Sequence, residues 1–343
     1  MRIIVDGMGG DHAPISTVKA SVEAVSKYGI NITLTGPAEA LIKELEKHVY
    51  PAGSIEILNA PDIITNDEDP AIAIRKKKNS SMVVGLKALA DGEGDGFISA
   101  GNTGALLAGG LFIVKRIEGI DRAALTTLYP TLKGVSILVD AGANVDSKPE
   151  YLKQFAIMGS AYMEQVLMIT NPKVGLINVG TESAKGNQLT KETYNLLQNT
   201  ELNFIGNIEG RDMPYGIADV MVCDGFVGNI ALKLTEGMAS SIFQLLKDSF
   251  TADTKSKLGA LLLRNQLKEM KKRLDYREYG GAPLLGTKMP VVKAHGSSDW
   301  YAFMNGIGQL KKFIENDVIT LIENNIKKME ENNADRENNQ TNS

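Results

Sequence analysis

Short β-rich runs separated by helical patterns recur along this chain, and that alternation leaves little choice of architecture. The runs are RIIVD (2–6), NITLT (31–35), SIEIL (54–58), GFISA (96–100), VSILVD (135–140), KVGLINV (173–179), NFIGN (203–207), ADVMVCD (218–224) and PVVKAH (290–295). Strands spaced by helix-length segments predict parallel pairing through helical crossovers. Several runs are apolar at consecutive positions, as a sheet covered by helices on both faces requires. The expected class is α/β.

Binding groups in such sheets collect beyond the carboxyl ends of the strands, and here those ends share a composition. GMGGDH, AGNTG, DAGANVD, NVGTESAKGN, DGFVGN and AHGSSD each follow a run and combine glycine with small polar residues or histidine. The pattern predicts one rim on which all six loops meet. Its candidate residues are Gly9, Gly10, His12, Asn102, Thr103, Gly104, Asn144, Lys185, Asn229, His295, Gly296 and Ser297.

No nucleotide fingerprint accompanies the glycines. Gly7-Met8-Gly9-Gly10 is not GxGxxG, GEGDG at 92–96 precedes its strand, and no GxxxxGK[ST] occurs. A smaller anion, phosphate or a phosphorylated group, suits the rim better. In FISAGNTGALLAGG (97–110) a strand passes into a helix, whose first N–H groups have no partner inside it. Asn102, Thr103 and Gly104 are placed to seat an anion there, although Thr103 also reads as a helix cap. Lys185 is placed to balance an oxyanion or phosphate, or else is a solvated loop lysine.

His48 follows a surface helix pattern and is set aside. Cys223 lies within the apolar run VMVC, where a thiol behaves as a small hydrophobe rather than a nucleophile. As the single cysteine it excludes an intramolecular disulfide, and no Cys/His spacing suggests a metal. No cofactor is expected.

A formal net charge of −4 argues against nucleic acid as a partner. The start, MRIIVDGMGGDHAP, reads as strand and glycine turn rather than a secretory leader, and no run of apolar residues is long enough to cross a bilayer. A cytoplasmic location is expected. The polar end, 328–343, is expected to be disordered.

Segment 226–278 departs from the alternation, reading as a hairpin of two long helices joined near TADTK. Between 253 and 278 eight Lys or Arg face four Asp or Glu, a local +4. Leu258, Leu261, Leu262, Leu263 and Leu267 recur at helical spacing beside Arg264 and Lys268. Such a face fits a partner subunit, an anionic bilayer surface or an acidic carrier protein. Arg75-Lys76-Lys77-Lys78 is a second basic cluster.

MRIIVDGMGGDHAP, RKKKNSSM, SAGNTGALLAGGLFIVKRIEGIDR, DAGANVDSKPEYLKQFAIMGSAY, NVGTESAKGN, CDGFVGN and YGGAPLLG with KAHGSSD together resemble the phosphate acyltransferase family PlsX, in order, over residues 1 to about 327. The resemblance implies a single Rossmann-like three-layer α/β/α domain over 1–327 with the helical hairpin inserted at about 226–278. It implies transfer of a fatty acyl group from acyl carrier protein to inorganic phosphate, giving acyl phosphate for phospholipid synthesis. A homodimer at the inner face of the cell membrane, supplying a downstream glycerol-3-phosphate acyltransferase, is implied with it, and so is lipid contact by the Leu258–Leu267 face.

Phosphate attacks a thioester without a strong base, so the enzyme has mainly to position reactants and stabilise an oxyanion. Direct transfer without an acyl-enzyme is therefore expected, with Asn102, Thr103 and Gly104 at phosphate, Lys185 as countercharge, and Asn229 and His295 at the carbonyl or departing sulfur. Alternatives are a phosphate acetyl- or butyryltransferase acting on acyl-CoA, a non-catalytic membrane-docked scaffold, and, by fold analogy alone, a dehydrogenase.

Overall fold

Ile3 and Val5 face one apolar layer and Ile4, between them, faces another, and none of the three touches solvent. That is the mark of a strand covered on both sides. The computed structural model describes residues 1–278 and 280–341. Its sheet contains β1 (Arg2–Asp6), β2 (Asn31–Gly36), β3 (Ile55–Asn59), β4 (Gly96–Ser99), β5 (Ala124–Thr131), β6 (Gly134–Val139), β7 (Val174–Asn178), β8 (Phe204–Glu209), β9 (Val220–Val222), β10 (Gly281–Leu285) and β11 (Val291–Ala294). The spatial order is β3-β2-β1-β4-β11-β10-β5-β6-β9-β7-β8.

Helices Ile15–Tyr28, Pro149–Val166 and Trp300–Glu315 cover one face. Ser81–Ala90 and Thr103–Gly109 cover part of the other, where Phe97 and Leu284 are buried, and the start of Gly225–Thr251 packs over Tyr129 and Leu138. The three-layer α/β/α class expected from sequence is the class observed.

β5 and β10 were not among the expected strands, and they change the geometry. Pairing is parallel throughout β3-β2-β1-β4-β11 and throughout β6-β9-β7-β8. Between β11 and β10, β10 and β5, and β5 and β6 it is antiparallel. Three reversals leave the two blocks running in opposite directions. The six loops therefore do not share one rim: those after β1, β4 and β11 lie at one edge, and those after β6, β7 and β9 at the other.

In the inserted segment Gly225–Thr251 is followed by two helices rather than one, Thr254–Leu262 and Arg264–Leu274, with the break at Leu263. Asp224 caps the long helix by accepting from Val227 N at 2.9 Å. Leu258, Leu261, Leu262 and Leu263 are all exposed, Leu262 at 77%. Among the described residues no helix is long and apolar enough to cross a membrane. The last helix, Val318–Thr341, extends into the polar segment 328–343, whose residues 342 and 343 lie outside the described residues.

Trp300 opens the helix Trp300–Glu315, which Asp299 caps by accepting from Ala302 N at 2.9 Å. Its ring packs against the core with Lys19 Nζ 4.2 Å from its centre, so a cation–π contact and burial account for its size.

Candidate active site

At the first edge the loops are knitted by short polar contacts. Asp6 accepts from Ser99 Oγ at 2.6 Å and from Met8 N at 3.2 Å, and Asp11 N donates to Gly296 O at 2.8 Å. Burial pushes the Asp6 carboxyl up, and the hydroxyl hydrogen bonds pull against it. Gly9 lies where a Cβ would come within 2.7 Å of Gly101 N, and Gly10, at φ +100°, lies against Ala100 and Gly296. Both glycines are explained by close backbone packing.

Asn102, not Thr103, caps the helix Thr103–Gly109. Its Oδ1 accepts from Ala105 N at 3.0 Å, and its amide donates to the carbonyls of Thr65, Asn66 and Glu68. Both ends of that side chain are engaged, so it holds the 65–69 loop rather than a ligand.

At the second edge the loop after β6 converges on Asp140. The fully buried carboxylate accepts from the backbone N–H of Leu125, Gly142, Ala143 and Asn144 at 2.6–3.1 Å and from Asn144 Nδ2 at 2.8 Å. Burial pushes its carboxyl up, and these donors pull it down. Every partner is a donor, so the shell is built for the carboxylate. Asn144 O in turn accepts from Gly225 N at 2.8 Å, pinning the start of the helix Gly225–Thr251 beside this loop.

The two edges meet across β5 and β10. A cleft of about 370 Å³ lies on that face. Thr103, His295 and Gly296 come from the first edge, and Gly142 and Asn229 from the second. Leu125, Thr127 and Tyr129 of β5 lie beneath, and Leu232, Lys233, Thr235, Glu236 and Ala239 of the long helix form a wall. From Leu125 to Pro130 an extended strand spans about 17 Å, which is why loops from opposite edges can border one cleft. Tyr129 and Thr235 hydroxyls bond at 2.9 Å and tie wall to floor. A second cavity of about 320 Å³, beside Lys153, Glu164 and Lys328, contains none of the candidate residues.

Of the sequence candidates, Thr103, Asn229, His295 and Gly296 line the cleft. His295 Nδ1 lies 2.9 Å from Ser297 Oγ and accepts from Ser297 N at 3.3 Å, so a neutral ring carries its proton on Nε2. Gly9, Gly10, Asn102, Gly104 and Asn144 are not among the lining residues, and Ser297 is exposed beside His295. His12 is exposed, its carbonyl accepting from Ser16 N. Lys185 is exposed in the loop after β7, its stem against Gly180, and is not part of the cleft wall.

Lys293 was missed. It lies on β11 beside Ala282, its side chain forms part of the cleft, and it is only 8% exposed. The signal was present in PVVKAH: a lysine inside an apolar strand covered on both faces needs a reason to be there. Cys223 is buried, donates to Asp140 O at 3.7 Å and has its thiol pushed far up by burial and by nearby Asp224 and Asp140. It is unsuited to nucleophilic catalysis.

Residues 1–321 match the model of a family described as fatty acid synthesis protein. A phosphate acyltransferase of Alkaliphilus oremlandii is 56% identical over 319 residues, covering 93% of this chain and 95% of the relative. That of Thermoanaerobacterium thermosaccharolyticum is 53% identical, covering 95% and 97%. Among solved structures, the EutD phosphotransacetylase from Staphylococcus aureus superposes with TM-score 0.59 at 14% identity, covering 91% of this chain and 93% of that one. A branched-chain phosphotransacylase from Enterococcus faecalis does so with TM-score 0.56 at 13% identity, covering 92% and 100%. These two show a shared fold. With the family model matched along nearly the whole chain and relatives more than half identical at almost full coverage, the chain belongs to the fatty acid synthesis protein family and is an acyltransferase that uses phosphate.

Proposed function

We propose that this enzyme transfers a fatty acyl group from acyl carrier protein to inorganic phosphate, producing acyl phosphate for phospholipid synthesis. The observation that carries this reading is the cleft itself, in which polar groups from two loop systems flank an apolar stretch formed by Leu125, Leu232 and Ala239. The apolar stretch suits the chain next to the thioester, and the polar groups suit phosphate and the developing oxyanion.

In the reaction an oxygen of hydrogen phosphate bonds to the carbonyl carbon and the carbon–sulfur bond breaks. The proton lost by phosphate ends on the sulfur, so no oxidant or further reactant is needed. Asn229 and the His295 ring polarise the carbonyl or deliver that proton, and Thr103 donates to phosphate. With the Cys223 thiol buried and protonated, transfer is direct.

Lys185, at the same edge as Gly142 and Asn229, attracts the incoming anion from outside the lining. Lys185→Ala is expected to lower kcat/KM for phosphate by about tenfold, roughly 1.4 kcal/mol. Steady-state kinetics with varied phosphate measure it, and unchanged constants remove the residue from the mechanism.

Two surfaces fit the partners. On Gly225–Thr251, Phe226, Ile230, Leu234, Met238, Ile242 and Leu245 are exposed at three- and four-residue spacing, a stripe suited to pairing with a second copy. Beyond it the leucines at 258 and 261–263, with Arg264, Lys268 and the half-buried Leu267, suit an anionic bilayer surface. There the product is placed for a downstream glycerol-3-phosphate acyltransferase.

The deciding experiment measures phosphate-dependent release of carrier thiol from acyl carrier protein and compares it with acyl-CoA. Efficient turnover of the carrier substrate is expected. Preference for short acyl-CoA assigns an acetyl- or butyryltransferase instead, and no release from either assigns a scaffold.

A further inference from the structure

We infer that Lys293 is the residue that binds the inorganic phosphate, through its ammonium group at the floor of the cleft. This rests on the proposed reaction and names the cation within it. Nζ donates to Ala100 O at 3.3 Å and to Ala294 O. No carboxylate lies within ion-pair distance of it among the described residues. Two of its three N–H donors are thus spent on neutral carbonyls, which orient the group without neutralising it.

Burying an ammonium without a carboxylate in direct contact is costly, and the chain bears that cost at a position bordering an open cleft. Desolvation pulls the Lys293 amine down to about 8, with Asp6 and Asp11 opposing the shift from a distance. A buried cation with a donor to spare beside a cavity selects an anion. At the reacting centre only phosphate is charged before reaction, since the thioester carbonyl is neutral. Lys293 therefore acts on the ground-state complex, and its loss should weaken phosphate binding itself.

The sheet fixes the position of the charge. Lys293 pairs with Ala282, and Leu284 pairs with Leu125, so Lys293, Ala282 and Thr127 form a row on the face that floors the cleft. Thr103 and Gly296 border the same cleft, close to the strand end that carries Lys293. Phosphate held there leaves the length of β5 toward Asn229 for the thioester.

The test titrates purified protein with inorganic phosphate by calorimetry, then follows kinetics with varied phosphate. In Lys293→Met, Kd and KM for phosphate should rise about 100-fold, the loss of one hydrogen-bonded charge, with KM for acyl substrate nearly unchanged. Lys293→Arg should recover much of the affinity. Asp6 on β1 and Asp11 in the next loop act on Nζ, and the titratable groups that border the same cleft are His295, two residues along, and Lys233 and Glu236 on the facing helix. In the unaltered enzyme, kcat/KM for phosphate dianion should fall above about pH 8 as the ammonium is lost, and Lys293→Arg should abolish that fall.

A lowered kcat with unchanged phosphate Kd would make Lys293 an oxyanion donor and overturn the inference, as would unchanged Kd and KM together. If Lys293→Met does not fold, acetylation of Lys293 in the unaltered protein, mapped by mass spectrometry, decides it: phosphate should protect, and equal rates with and without phosphate refute. Absence of both phosphate binding and acyl transfer in the unaltered protein is a different result, which refutes the proposed reaction instead.

Discussion

Asp140→Ala is expected to destabilise the protein by about 5 kcal/mol or more, enough to leave it largely unfolded or without a formed cleft. The carboxylate is the common acceptor for four backbone N–H groups and the Asn144 amide. Removing it leaves those donors facing a void, and each buried unsatisfied donor costs about 1–3 kcal/mol. Relaxation of the loop recovers part of the sum. Asp140→Asn keeps one acceptor oxygen but turns an NH₂ toward other donors, so an intermediate loss is expected. Urea unfolding of the three proteins measures this, and an alanine variant within 1 kcal/mol of the parent on the destabilised-mutant scale would show that the shell is dispensable.

Gly228→Ala is the second large effect, and its sign runs against helix propensity. Alanine inside a helix is normally favoured over glycine by about 1 kcal/mol. At Gly228, however, a Cβ would sit 1.9 Å from Asp140 O and 3.0 Å from its carbonyl carbon. Both are backbone atoms, and Asp140 is held by the contacts above. The long helix has to move off the 140–144 loop, carrying Asn229 and the cleft wall with it. A net loss of about 3 kcal/mol and a loss of turnover are expected. Gly237, on the same helix, has nothing within 4 Å of its Cβ position, and Gly237→Ala should raise stability by up to about 1 kcal/mol. Thermal denaturation of both variants tests the contrast; equal shifts would mean that the helix does not press on Asp140.

The local signals were legible where one segment decides its own structure. Ile3, Ile4 and Val5 declare a strand buried on both faces, and the helix after GFISAGN was expected where it begins, although its cap is Asn102 and not Thr103. β5 and β10 were not legible. β5 carries Pro130 near its end, and β10 is short with Gly281 and Pro283 inside it, and proline or glycine in a run argues against a strand. Those two strands reverse the sheet, so overlooking them turned two opposed sets of loops into one imagined rim. Lys293 was hidden for a related reason: a lysine's letter does not say whether its ammonium reaches water.

The sequence by itself determined the family, the α/β class, the helical insertion and the small, polar composition of the strand-end loops, because each is set by residue type and spacing over a few turns of chain. Only the tertiary structure decided which of those loops face each other. That follows from strand direction, which depends on pairing between segments more than a hundred residues apart and leaves no periodic trace in either segment. The cleft, the divided roles of the glycine loops and the buried lysine at its floor all come from that one choice of direction.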